Sequence, residues 1–102
     1  MRVPRAAGLA LALALPCAAQ GGELGRKVFM ELAQPPCHLC HTLKAAGAEG
    51  TIGPSLDELK PDLEKALQAV RNGVGIMPAF NDTLTAEQIS AVARFVSETA
   101  GK

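Results

Sequence analysis

Tryptophan and tyrosine are missing altogether from this 102-residue chain, and its only aromatic residues are Phe29, Phe80 and Phe95. No indole or phenol is therefore on hand to fill a core or to hydrogen-bond the edge of a ligand. An excess of one charge is missing as well, since ten basic side chains balance ten acidic ones. That balance removes the basic footprint with which proteins hold nucleic acid or an anionic membrane surface. The unbroken apolar run Ala6 to Leu15 is too short for a bilayer, which takes roughly 20 apolar residues. No stable membrane insertion is expected. No segment alternates apolar and polar residues over strand length, so sheets are not expected either. Histidine and cysteine are scarce, at two and three residues, and their placement becomes the informative feature.

The first stretch has the layout of a secretory signal peptide. Arg2 and Arg5 precede the apolar run, and Pro16, Cys17, Ala18, Ala19 and Gln20 supply small residues around a cleavage point. Cleavage is expected after Ala19, giving residues 1–19 as leader and 20–102 as one domain of 83 residues (102 less 19). A lipid anchor on Cys17 is the alternative, weakened by Pro16, because a small residue is wanted at that position. Arg2 and Arg5 leave with the leader, so the remainder holds 8 basic and 10 acidic side chains, a formal net of −2. The expected compartment is the periplasm. A domain this small is marginal on its own core, and a large apolar cofactor at its centre would make up the shortfall.

The rest of the chain reads as helices. Leu24, Val28 and Leu32 form one stripe, predicting a helix over Glu23 to Ala33 that Pro35 and Pro36 terminate. Ala45 to Gly53 is small and glycine-bearing, a loop. Pro61 to Arg71 is predicted helical, with Pro61 in the first position, Asp62 and Glu64 in the first turn and Arg71 in the last. Leu63, Leu67 and Val70 are its inward stripe, and Asn72-Gly73 its stop. The last helix opens with a capping box, Thr85 and Gln88, and a staple of Leu84 with Ile89. Ile89, Val92, Ala93 and Val96 face inward with Phe95 on the flank, and Gly101 ends the helix. The fold class is all-α.

Cys37-His38-Leu39-Cys40-His41 is a C-x-x-C-H motif, the attachment signature of c-type haem. Two thiols at this spacing can add across the two vinyl groups of one haem. A helical turn puts residues i, i+3 and i+4 on one face. The His41 imidazole then reaches the iron as proximal ligand. Rival readings are weaker. A tetrahedral zinc site wants four well-spread ligands, and the cysteines and histidines after residue 20 all fall within five residues. A redox disulfide of thioredoxin type belongs at a strand-to-helix junction. A plain disulfide leaves His41 unexplained. His38 is expected to be an exposed filler. Met30 sits beside Phe29 as core packing. Met77, in Gly73-Val74-Gly75-Ile76-Met77-Pro78-Ala79-Phe80, is the candidate sixth ligand, on a non-helical loop stiffened by Pro78.

On these residues the chain resembles the class I c-type cytochromes. Gly25 and Phe29 are similar to the glycine and aromatic of that family's first helix, and Phe95 to the aromatic of its last. Gly53-Pro54 resembles the loop whose proline carbonyl accepts the proximal histidine's N–H. Met77-Pro78-Ala79-Phe80 resembles the axial-methionine loop. The resemblance implies three to four helices around one covalently bound haem, with Cys37, Cys40, His41, Met77, Pro54 and Leu56 at the cofactor and His41 and Met77 on the iron. It implies a single-electron carrier cycling Fe(III) and Fe(II), not an enzyme. Tyr or Trp partners for the haem propionates are absent here, leaving Arg71, Asn72 and Lys44 as candidates. A haem-based ligand binder or sensor with an open sixth position is the alternative function. Cys40 to Lys44, Gly53-Pro54 and Leu56 to Pro61 also resemble cytochrome subunits associated with periplasmic sulfite dehydrogenases. That resemblance implies redox partners that include a periplasmic molybdenum dehydrogenase.

Overall fold

The computed structural model describes residues 17–102. Most of the expected leader, residues 1–16, lies outside them. Four helices carry the fold: α1 (Cys17–Lys27), α2 (Leu56–Leu59), α3 (Leu63–Asn72) and α4 (Ala86–Thr99). The one sheet among the described residues is tiny. β1 (Thr42–Leu43) pairs antiparallel with β2 (Ala48–Glu49), Thr42 opposite Glu49 and Leu43 opposite Ala48. The architecture is all-α in substance, as the missing strand alternation predicts.

α1 starts at Cys17, earlier than the expected Glu23, and runs through Gly21 and Gly22. Helical glycine costs about 1 kcal/mol relative to alanine, but α1 is held by its packing on α4 rather than by its own propensity. The helix then widens into a π-helical turn over Val28–Leu32, closed by the Ala33 N–H donating to the Val28 carbonyl at 3.1 Å. This turn carries Phe29, which has no exposed surface. The predicted loop from Ala45 to Gly53 instead contains β2 and a 3₁₀ turn, Lys44–Ala46, which Gly47 ends at φ +68°.

α3 departs from its predicted start. Pro61 stands before the helix, and Asp62 is its N-cap, its Oδ1 accepting from the Lys65 N–H at 2.8 Å. A carboxylate that can satisfy an orphan backbone donor outcompetes proline for the boundary. The predicted stripe is also shared out. Ala66 is the buried residue of α3, while Leu67 and Val70 pack partly buried against the core. α4 follows its sequence signals closely. The Thr85 Oγ1 accepts from the Gln88 N–H at 3.1 Å and the Gln88 Oε1 from the Thr85 N–H at 2.9 Å. Leu84 and Ile89 are buried on either side of this box.

Two contacts fix the frame. Gly25 faces α4 so closely that an added Cβ would lie 2.5 Å from Phe95 Cβ and nearer still to the Ala91 carbonyl oxygen. One turn on, the Phe29 and Phe95 rings meet edge to face, centroids 6.0 Å apart at 65°, a favoured aromatic geometry. The second contact is Asp57, on α2. Its Oδ1 accepts from the Gly101 N–H and its Oδ2 from the Lys44 N–H, both at 2.8 Å. Asp57 thus ties the turn after α4 to the turn after β1.

The Gly101 and Lys44 donors hold the Asp57 carboxyl below its ordinary value of 3.8. A depressed carboxylate stabilises the fold above its unfolded value, and the contribution fades as pH falls through the lowered native one. Asp57→Asn is therefore expected to lower the urea midpoint at neutral pH. The gap to the parent should narrow in acid, as pH falls through the lowered native value and the parent carboxylate is protonated. Equilibrium urea curves at neutral and acid pH check this, and a gap of constant width would place the acid sensitivity elsewhere.

Candidate functional site

The motif begins directly after the proline pair. Cys37–Leu39 form a 3₁₀ turn with Pro36 as N-cap, and the Cys40 and His41 N–H groups both donate to the Cys37 carbonyl, at 3.2 and 3.1 Å. Cys37, Cys40 and His41 consequently share one side of the turn, where all three line a single cavity of about 550 Å³. The two cysteines are not joined to each other by a disulfide. Burial, with a smaller push from Cys40, raises the Cys37 thiol to about 11.

A glycine-bearing loop clamps the back of the motif. The Gly53 N–H donates to the Cys40 carbonyl at 2.7 Å. An added Cβ on Gly53 would stand 2.9 Å from His41 Cε1, and one on Gly50 would stand 2.6 Å from the Leu39 carbonyl oxygen. Only glycine lets the loop backbone lie this near the motif. Pro54 follows, and His41 Nδ1 donates to its carbonyl at 2.7 Å. A carbonyl can only accept, so Nδ1 carries the proton and the Nε2 lone pair is left for another partner. Leu56, the first residue of α2, is 8 % exposed and closes the wall beside it.

The opposite stretch of lining comes from the segment after α3. Val74 and Met77 exchange two backbone hydrogen bonds, Met77 N–H to Val74 carbonyl at 2.8 Å and Val74 N–H to Met77 carbonyl at 3.1 Å. Gly75 makes this tight turn possible at φ +57°. Gly73, at φ +74°, sits under it, where an added Cβ would come within 2.6 Å of the Met77 carbonyl oxygen. The Phe80 N–H then donates to the Val70 carbonyl at 2.8 Å. Met77 is thus presented by a braced turn, more firmly held than the open loop its glycines suggest.

All six candidate residues, Cys37, Cys40, His41, Pro54, Leu56 and Met77, line this one cavity. His38 and Met30 are not among its lining residues; Met30 packs against the core as expected, while His38 is half-buried rather than exposed. The three propionate candidates, Arg71, Asn72 and Lys44, do not line it either. The Asn72 amide donates to Gln68 at 3.1 Å, and the Lys44 backbone is engaged by Asp57. The charged residues on the cavity are instead Lys60, Asp62 and Lys65. Gly50 escaped the sequence reading as well, since a lone loop glycine gives no sign of what it approaches.

The cavity suits a flat apolar macrocycle. Its wall is built largely of Phe, Pro, Leu, Ile, Val and Ala, with two thiols, one imidazole nitrogen and one thioether as its soft donors. Comparison with known proteins agrees. Residues 22–96 match the family model described as cytochrome c oxidase, cbb3-type, subunit III. The chain belongs to the class I c-type cytochromes. It is 37 % identical over 86 residues to a cytochrome c6 of Gloeothece citriformis (strain PCC 7424), covering 76 % of this chain and 71 % of that one. It is also similar to the crystal structure of the c-type cytochrome SorU from Sinorhizobium meliloti, at 55 % identity and a TM-score of 0.79 over 82 % of this chain and 95 % of that one. As a class I cytochrome the protein carries covalent haem c with its iron, and it is an electron-transfer protein rather than an enzyme.

Proposed function

We propose that Cys37 and Cys40 tether the haem, that His41 and Met77 are the axial ligands, and that Pro54 and Leu56 orient and cover this site. The observation that carries the reading is the His41–Pro54 hydrogen bond at 2.7 Å on a cavity that also holds both thiols and the Met77 thioether. The carbonyl fixes the tautomer and the ring orientation, so Nε2 is the nitrogen left to ligate iron. When bound, haem c supplies one-electron Fe(III)/Fe(II) chemistry. The braced Val74–Met77 turn holds the Met77 backbone beside the cavity, from where its thioether would ligate the iron and keep dioxygen and carbon monoxide off it. A methionine–histidine pair also raises the reduction potential.

The carrier is proposed to work in the periplasm, with residues 1–19 as its removed export signal. Its proposed electron donor is a periplasmic molybdenum dehydrogenase of the sulfite-oxidising type, in line with the sequence likeness of Cys40 to Lys44 and Leu56 to Pro61. Ile76, 87 % exposed, and Leu39, 52 % exposed, offer a small apolar rim of the kind weak, transient redox partners use.

The test is a visible spectrum of the purified protein, oxidised and then reduced with dithionite, followed by carbon monoxide. A low-spin reduced spectrum that carbon monoxide leaves unchanged is the expected result. A shift of the native spectrum would favour a ligand binder or sensor with an open sixth position. Mixing the oxidised protein with sulfite and catalytic amounts of a sulfite-oxidising dehydrogenase is expected to reduce it within the enzyme's turnover time. No reduction there would leave the carrier role intact and reject this donor.

A further inference from the structure

The cavity wall is apolar except along one short segment. Lys60, Asp62 and Lys65 supply its fully charged side chains, and the remaining titratable groups facing it are Cys37, Cys40 and His41. A haem brings two carboxylates of its own, and a cavity without Tyr or Trp must meet them with something else. The three charged neighbours are not equivalent. The Asp62 carboxylate caps α3 through the Lys65 N–H and, as an anion, would repel a propionate. Lys60, the C-cap of α2 at φ +47°, lays its stem along the turn after α4. A Cβ built on Gly101 would stand 2.6 Å from its Cε and 3.1 Å from its Cδ. Lys65 lies on α3 itself, one helical turn before Ala69 and next to Ala66, both of which line the cavity. Two alanines leave that helical wall low and flat, and the lysine stands at its N-terminal end.

We propose that Lys65 is the cation that holds a haem propionate at the rim of this cavity. The proposal rests on the haem assignment made above and adds a residue to it. A lysine stem can lie along apolar surface while its ammonium stays at the water boundary, which suits a carboxylate at the open edge of a buried ring. An opposite charge within about 4–6 Å lowers a carboxyl pKa by about 1–3 units. Lys65 therefore keeps its propionate ionised to lower pH than an unpaired one, and the iron's potential loses its dependence on that proton over the same range.

The experiment uses the covalent haem protein. Reduction potential is measured against pH for the parent, Lys65→Gln, Lys65→Arg, Lys60→Gln and Arg71→Gln, with a visible spectrum of each. In Lys65→Gln the propionate inflection is expected to move up by about one unit, and Lys65→Arg is expected to restore it. Arg71→Gln, which changes a cation of α3 off the cavity, should leave the curve in place. Superimposable parent and Lys65→Gln curves would overturn the proposal, as would a shift confined to Lys60→Gln. A parent spectrum lacking covalent low-spin haem would instead overturn the haem assignment, so the two failures are separable. Lys65 is exposed, and an unchanged thermal midpoint in Lys65→Gln would separate its effect on the potential from a loss of folding.

Discussion

Met77→Ala is expected to leave the haem attached and the fold in place while opening the iron to ligands. The reduced variant should take up carbon monoxide stoichiometrically, where the parent takes up none. Its reduction potential should fall by something on the order of 0.2 V, well inside the ~0.8 V span that axial ligation commands. The structural basis is that Met77 is held by its backbone: the paired hydrogen bonds with Val74 do not involve the side chain. Truncation thus removes the thioether without loosening the turn. Met30 cannot step in, because it packs against the core and does not line the cavity. Carbon monoxide difference spectra and a potentiometric titration check both halves of the expectation. An unchanged spectrum in the presence of carbon monoxide would remove Met77 from the iron.

A single methyl group at Gly25 is expected to destabilise the fold strongly. In Gly25→Ala the new Cβ meets backbone on α4, at the Ala91 carbonyl, as well as Phe95 Cβ at 2.5 Å. Backbone cannot rotate away as a flexible side chain can, so α1 and α4 must separate. Overpacking of a tight core costs about 1–3 kcal/mol. Here the upper end applies, because parting the helices also spoils the edge-to-face contact of Phe29 with Phe95. Alanine's better helix propensity returns only about 1 kcal/mol. Chemical denaturation of the haem-loaded variant should show a net loss of about 2 kcal/mol or more. Equal stability of parent and variant would mean that the two helices have room to adjust.

What the sequence disclosed and what it withheld follow from the range of the forces involved. The capping box at Thr85 and Gln88 is a contact between residues three apart, and it formed as its spelling predicts. The C-x-x-C-H turn is equally local. The proline pair, the glycine stop at Gly73 and the inward stripe of α4 are legible for the same reason. Boundaries that depend on packing were harder to read. α1 crosses a glycine pair because a distant helix supports it, and Asp62 displaced Pro61 as the boundary of α3 by capping a backbone donor. The propionate candidates Arg71, Asn72 and Lys44 do not line the cavity, because charge type can be read from a sequence but facing cannot. Arg71 and Lys65 belong to the same helix, and only the second lines the cavity. Gly50 shows the same limit, since its tight approach is to backbone it does not neighbour in sequence.

The crossing of α1 on α4 also bears on the order in which the molecule can be completed. The two helices lie at opposite ends of the described chain, so their contact closes a loop containing nearly everything else. Long loops delay the contacts that reward them. Val92, Ala93 and Val96 of α4 are part of the cavity wall. The thiols of Cys37 and Cys40 therefore emerge, and are accessible to modification, well before the last helix can dock. A chain delivered N-terminus first would meet its cofactor as an unfinished cup. The final helix is then the lid that turns an attached ring into a buried one.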